Sequence, residues 1–196
     1  MRKYTITGTG PLTRSTVGGG ASDPRFELTN DVLHWLWSWR VQVQRHAEST
    51  QHDGEGSSPL ETRRAFSRTS YDEHVLTVVG AHLIRAIQRA EAEFREPLFD
   101  NEAATALPLL RNLYEHWDEQ RSTFADPEMP KVLSGKTFTE RFPQGKPWSV
   151  TYVGNDFVLG GVVPIHALTS ELDAVEARVL ALEDRLRKER AAHAEQ

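Results

Sequence analysis

"SYDEHVLTVVGAHLIRAIQRAEAEF", Ser70 to Phe94, decides the fold class. Val75, Val78, Val79, Leu83, Ile84, Ile87 and Phe94 recur three and four residues apart, the spacing that lines one face of an α-helix. Ser70 is placed to cap it, because a serine oxygen accepts from the free N–H groups of a first turn. A helix with one apolar stripe must bury that stripe against other elements. The expected fold is therefore mainly α: a helical bundle with a small β-hairpin and a C-terminal helix.

Upstream, "TNDVLHWLWSWRVQVQRHAE" (Thr29 to Glu48) poses a conflict. Trp35, Trp37, Trp39, Val41 and Val43 alternate as a strand would, while the length and the cap signals at Thr29, Asn30 and Asp31 suit a helix. We read residues 32–43 as helix and the tryptophans as buried packing, since large aromatics dominate cores. Residues 1–26 are rich in Gly, Thr, Ser and Pro without periodicity, so a flexible arm without function is expected. "ESTQHDGEGSSPLET" (Glu48 to Thr62) reads as a flexible connection for the same reason.

Downstream of Phe94, "REPLFDN" is a break, and "EAATALPLLRNLYEHWDEQRSTF" is a second helix capped by Asp100 or Asn101. Its stripe is Leu107, Leu110, Tyr114 and Trp117, and Pro108 predicts a kink or restart just before Arg111. Residues 126–147 read as loop with room for one or two short turns. "WSVTYVGNDFVLGGVVPI" supplies two β-rich runs around Gly154, Asn155 and Asp156, a hairpin pattern, with Gly160 and Gly161 marking a bulge or close backbone approach. The chain ends in a helix whose Leu172, Val175, Val179, Leu182 and Leu186 form a coiled-coil-like seam, free to pack on the bundle or to dimerise. The resulting division is an arm (1–26), a helical bundle (27–125), a loop and hairpin (126–165) and a terminal helix (166–196).

Composition narrows function. With 196 residues, 38% hydrophobic and 26% charged, the chain is long enough for one cored domain. No apolar run approaches the roughly 18 residues that a membrane span needs, and the start lacks a signal-peptide apolar region. A cytoplasmic location without membrane contact is expected. Zero cysteines exclude disulfides, thiolate nucleophiles and Cys-based zinc sites. A formal net charge of -5 argues against a broad nucleic-acid coat but leaves room for a local basic pocket. Arginine outnumbers lysine among the 23 basic residues, and its planar fork suits phosphate or carboxylate.

"LLRNLYEHWDEQ" (Leu109 to Gln120) places Arg111, Asn112 and His116 in an otherwise apolar helix. An Arg followed a few residues later by a His is not specific in itself: Arg40/His46, Arg45/His52, Arg68/His74 and Arg187/His193 also qualify. Context separates them, because a preorganised site needs rigid support and polar neighbours. Arg187/His193 lies in a highly charged terminal helix, two pairs run into polar loops, and Arg40 has no polar residue beside it. Arg111 is followed directly by Asn112, which shares a helix face with His116 four residues on.

"RNLYEH" resembles the hallmark of the HEPN superfamily, small α-helical domains of prokaryotic toxin–antitoxin and abortive-infection systems. That hallmark is an Arg, usually followed by a polar residue, then a His four to six positions later. The likeness covers residues 70–125, two consecutive helices with the motif in the second. One subgroup carries a tyrosine two positions after the His, where this chain has Asp118. The resemblance implies metal-independent RNA cleavage, in which a 2′-hydroxyl attacks the adjacent phosphate. His116 would then transfer protons, Arg111 would hold the scissile phosphate, and Asn112 would orient the phosphate or His116. No cofactor and no metal are expected; RNA, a homodimer partner and a neutralising protein antitoxin are.

Helix geometry points to the same dimer, because positions five apart turn about 140° away from each other. Two helices crossing at a two-fold axis would bring Arg111 of one subunit toward His116 of the other. His82, Arg85 and Arg89, on one face of the preceding helix, are candidate substrate-binding residues. A metal held by His74 and His82 is the rival chemistry, although no HxxxH or HExxH pair occurs. No hydrolase elbow or phosphate loop is present. The bland alternative is a non-catalytic helical binding or scaffold protein, in which Arg111 and Glu115 form an ordinary i,i+4 ion pair.

Overall fold

The computed structural model describes residues 23–50, 58–115, 138, 140–145, 150–153 and 156–194. The arm as far as residue 22, the connection at 51–57 and the hairpin turn at Gly154 and Asn155 lie outside the described residues. The mainly α expectation holds, with four α-helices and a small antiparallel sheet among the described residues.

Helix α1 spans Pro24–Thr50 and so includes the whole ambiguous tryptophan stretch. Its buried residues Val32, Leu36, Trp39, Val43 and His46 follow a period of three and four, which overrides the accidental alternation at 35–43. The helix starts earlier than Thr29. Asp23 caps it, accepting from the Arg25 backbone N–H at 2.9 Å, and Pro24 occupies the first helical position, where no N–H is needed. Thr29 is instead interior and buried, its hydroxyl donating to the Phe26 carbonyl and to Glu183. Packing of the tryptophans is graded: Trp39 is fully buried, Trp35 and Trp37 half-buried.

Helix α2 spans Pro59–Phe94, so it begins inside the expected connection and not at Ser70. Its start is a capping box: Glu61 N–H donates to the Ser58 hydroxyl, and Ser58 N–H donates to the Glu61 carboxylate at 2.7 Å. The signal was legible as Ser-Pro-Leu-Glu but masked by the Gly/Ser-rich residues before it. The helix ends at Arg95, in the left-handed region at φ 54°, and Glu91 closes the turn by accepting from the N–H groups of Leu98 and Phe99.

A 3-10 turn, Ala103–Thr105, leads into α3, Ala106–Glu115. Of the two expected caps, Asp100 and Asn101, it is Asn101 whose side chain accepts from Ala104 N–H, at 3.0 Å, and it does so at the 3-10 turn and not at α3 itself. Pro108 does not kink the helix. It falls in the first turn of α3, where its missing N–H costs nothing, and the restart lies before the proline, at Ala106.

The hairpin is present. Strand β1, Val150–Val153, pairs antiparallel with β2, Asp156–Leu159, with Val153 opposite Asp156, and a short β3, Val163–Pro164, adds a third strand. Gly160 at φ 59° turns the chain, and a Cβ there would stand 2.7 Å from a Leu110 methyl, the close approach that excludes a side chain. Within the expected loop, Phe142 N–H donates to the Phe138 carbonyl in one helical turn that buries Phe138 completely.

Helix α4, Ile165–Ala194, receives a cap from outside itself: the Asp156 carboxylate accepts from His166 and Ala167 N–H at 2.8 and 3.1 Å. Its seam of Leu172, Val175, Val179, Leu182 and Leu186 is buried within the chain. Arg40 of α1 bridges Asp173 and Glu176, both at 2.7 Å, and Trp39 donates to Thr169 at 2.9 Å. That corrects the dimerising option for this seam, because each buried aliphatic residue already contributes about 1.5–3 kcal/mol to its own fold. No helix among the described residues is long and apolar enough to cross a membrane.

Candidate functional site

Arg111 and Asn112 stand on the outer side of α3, because Leu107, Leu110 and Leu113 turn inward and are buried. Both are half-buried. Arg111 is held by Glu115 through two parallel contacts, Nε to Oε1 at 2.9 Å and Nη2 to Oε2 at 2.7 Å. Asn112 makes no side-chain hydrogen bond among the described residues. His116 and Trp117, with the rest of the expected helix to Phe124, lie outside the described residues.

Helix α2 packs against both α1 and α3. From it His82 projects to a half-exposed position, where its ring stacks on Trp35 of α1 with centroids 4.5 Å apart and planes 11° from parallel. His34 meets the other aromatic edge-on at 5.2 Å. Burial lowers the His82 pKa, the neighbouring Arg111 and Arg85 cations lower it further, Glu115 opposes them, and Arg89 adds a smaller effect. The expected substrate-binding residues His82, Arg85 and Arg89 therefore do share a neighbourhood with Arg111. Arg85 and Arg89 are exposed, and Arg89 reaches Asp31 of α1 at 3.3 Å. Arg89 and Arg111 are thus each paired with a carboxylate, Asp31 and Glu115.

Two participants were not singled out from the sequence. Trp35 was read as core alone, since nothing in its spacing distinguishes a half-exposed aromatic from a buried one. Asp31 was read as a cap signal, and its approach to Arg89 spans two helices. The rival metal pair is separated: His74 meets the Tyr114 ring edge-on at 5.9 Å, whereas His82 faces Trp35. Among the described residues no group of three His, Cys, Asp or Glu is placed to hold a metal ion. Burial, with a smaller effect from Glu73, pushes the Tyr114 hydroxyl up to about 12, so it stays protonated and is no base.

The lowered His82 pKa has a consequence for stability. The unfolded chain takes up a proton near pH 6.5 and the folded chain resists it, so this contribution is present above that pH and is lost as pH falls through it. We expect the wild-type melting temperature to drop between pH 7.5 and 5.5 by more than that of His82→Phe, which keeps the stack on Trp35. Equal drops would show that His82 does not titrate differently in the folded protein.

Comparison with protein-family models, with curated proteins and with solved structures found no match for this chain.

Proposed function

We propose that this protein is a HEPN-like, metal-independent endoribonuclease that acts in the cytoplasm, in a toxin or defence setting. The observation that carries the reading is the face where His82 stacks on Trp35 within electrostatic reach of Arg111, Arg85 and Arg89. Such a face suits a single-stranded RNA, whose phosphates seek guanidiniums and whose unpaired bases stack on aromatic rings.

In the proposed reaction the RNA 2′-hydroxyl loses its proton and attacks the adjacent phosphorus. The bond to the 5′-oxygen breaks, that oxygen takes a proton, and a 2′,3′-cyclic phosphate remains. His116 transfers the protons, which an imidazole does well near neutral pH. Arg111 holds the phosphate and stabilises its developing charge, and Asn112 orients it. His82, Arg85 and Arg89 bind flanking nucleotides. A homodimer supplies Arg111 and His116 from different subunits, and a protein antitoxin restrains the activity.

One observation favours a second reading, a non-catalytic helical binding or scaffold protein: the Arg111 fork is closed by Glu115, as an ordinary surface pair would be. A charged residue at Leu182 does not discriminate the two readings, because Leu182 is buried in the fold.

The deciding experiment incubates wild-type protein and His116→Ala with total cellular RNA in EDTA and examines the fragment ends. Cyclic phosphate ends from the wild type alone support the enzyme. If neither protein cuts and contaminant controls are clean, the scaffold reading replaces it.

A further inference from the structure

We infer that Glu115 is a built-in stand-in for the substrate phosphate, occupying the Arg111 fork until a phosphodiester of single-stranded RNA displaces it. The inference rests on the ribonuclease reading and names a regulation of the same site. A carboxylate and a phosphodiester each offer paired oxygens to the planar guanidinium, and the Glu115 contacts at 2.9 and 2.7 Å are of the bidentate kind. Glu115 therefore occupies the acceptor positions that a phosphate would take.

The contact is built to yield. Both partners are partly open to water, with side-chain exposures of 23% for Arg111 and 32% for Glu115. An i,i+4 pair of this type shifts an equilibrium by only about twofold. Arg85 and Arg89 are exposed on α2 and, like Arg111, act electrostatically on His82, so they would draw an anion toward this region. Once displaced, the Glu115 carboxylate remains one helical turn from the bound phosphate and repels it. Glu115 thus lowers affinity twice, by competing for the fork and by opposing its new occupant. In the absence of ligand, the pair keeps the guanidinium aimed and blocks adventitious anions.

The test measures binding without cleavage, using a fluorescein-labelled single-stranded 2′-O-methyl RNA decamer, which lacks the attacking hydroxyl. Fluorescence anisotropy would compare full-length wild type, Glu115→Gln, Arg111→Ala and the double variant. Glutamine keeps the helix propensity and size of glutamate, so near-wild-type melting is the folding control. Glu115→Gln is expected to bind about fivefold tighter, roughly the combined relief of competition and repulsion. The gain should vanish in the Arg111→Ala background. A gain that persists without Arg111 would reflect net charge alone and overturns the inference, as does an unchanged or weaker Glu115→Gln. If Arg111→Ala weakens binding while Glu115→Gln changes nothing, only the stand-in role fails. If Arg111→Ala binds as well as wild type, the phosphate site fails with it.

Discussion

Mixing Arg111→Ala with His116→Ala, each inactive alone, is expected to restore about a quarter of wild-type RNA cleavage. Each single variant should lose about 10² to 10⁴-fold, the range of a missing general acid–base or of a missing donor to the developing oxyanion. The recovery follows from helix geometry. On a helix that continues through His116, residues five apart would point about 140° away from each other, so one copy of the motif would not aim both side chains at one phosphate. In the proposed dimer, Arg111 of one subunit would meet His116 of the other across a two-fold axis, giving each dimer two such sites. In a mixed dimer one site combines both substitutions and the other has neither. Random reassortment makes about half of the dimers mixed, and half of their sites are intact, hence roughly a quarter of the activity. The measurement is cleavage of a reporter RNA after co-expression, with differently tagged chains to prove that mixed dimers formed. Mixed dimers that remain inactive would place the whole site within one chain.

Trp39→Ala is expected to destabilise the fold by about 3–5 kcal/mol, the cost of emptying a large aromatic site in a packed core. Trp39 is fully buried at the junction of α1, α2 and α4. A Cβ on Gly80 of α2 would stand 2.7 Å from its ring, and 2.9 Å from Leu107 of α3, so the glycine exists to let the tryptophan and α3 approach. Its indole N–H donates to Thr169 at 2.9 Å, tying in α4. Alanine would leave a cavity and remove a partner from buried Thr169. For a chain of this size that corresponds to a fall of about 10–15 °C in melting temperature. A change below about 3 °C, read by thermal denaturation, would show that the surrounding helices collapse into the space. Trp39→Phe should lose less, since it keeps most of the volume but not the hydrogen bond. The site is coupled to this packing, because the same α1–α2 contact stacks Trp35 on His82.

The residues that carry the candidate chemistry were legible to different degrees. Arg111 and Asn112 announced themselves as polar residues in an apolar helix, and the position of Leu107 and Leu110 in the core explains why they face outward. Glu115 was visible as an i,i+4 partner, because helical periodicity alone places it there. The electrostatic effect of Arg111 on His82 joins separate helices, and the stacking of Trp35 on His82 joins α1 to α2, beyond the reach of any local rule. Helix starts were misplaced at Thr29 and Ser70 for a common reason. Both lie inside longer helices whose true caps, Asp23 and Ser58, sit in Gly/Ser-rich surroundings that resemble loop.

Local pattern alone therefore established the helical character, the break at 95–101 and the hairpin, and it narrowed the cap to Asp100 or Asn101 and the glycine pair at 160–161 to a bulge or a close approach. Each of these depends on interactions between residues a few positions apart, where side-chain type and period set the backbone. Tertiary structure decided where the C-terminal seam goes, because the same leucine repeat satisfies a partner chain or α1 equally well and only the Trp39, Arg40 and Thr29 contacts choose α1. It also decided that Pro108 opens a helix, that Asp156 caps α4 from the sheet, and that His82 stacks on Trp35. Those outcomes turn on which distant surfaces bury one another, and burial energy is a property of the assembled core, not of any one stretch of chain.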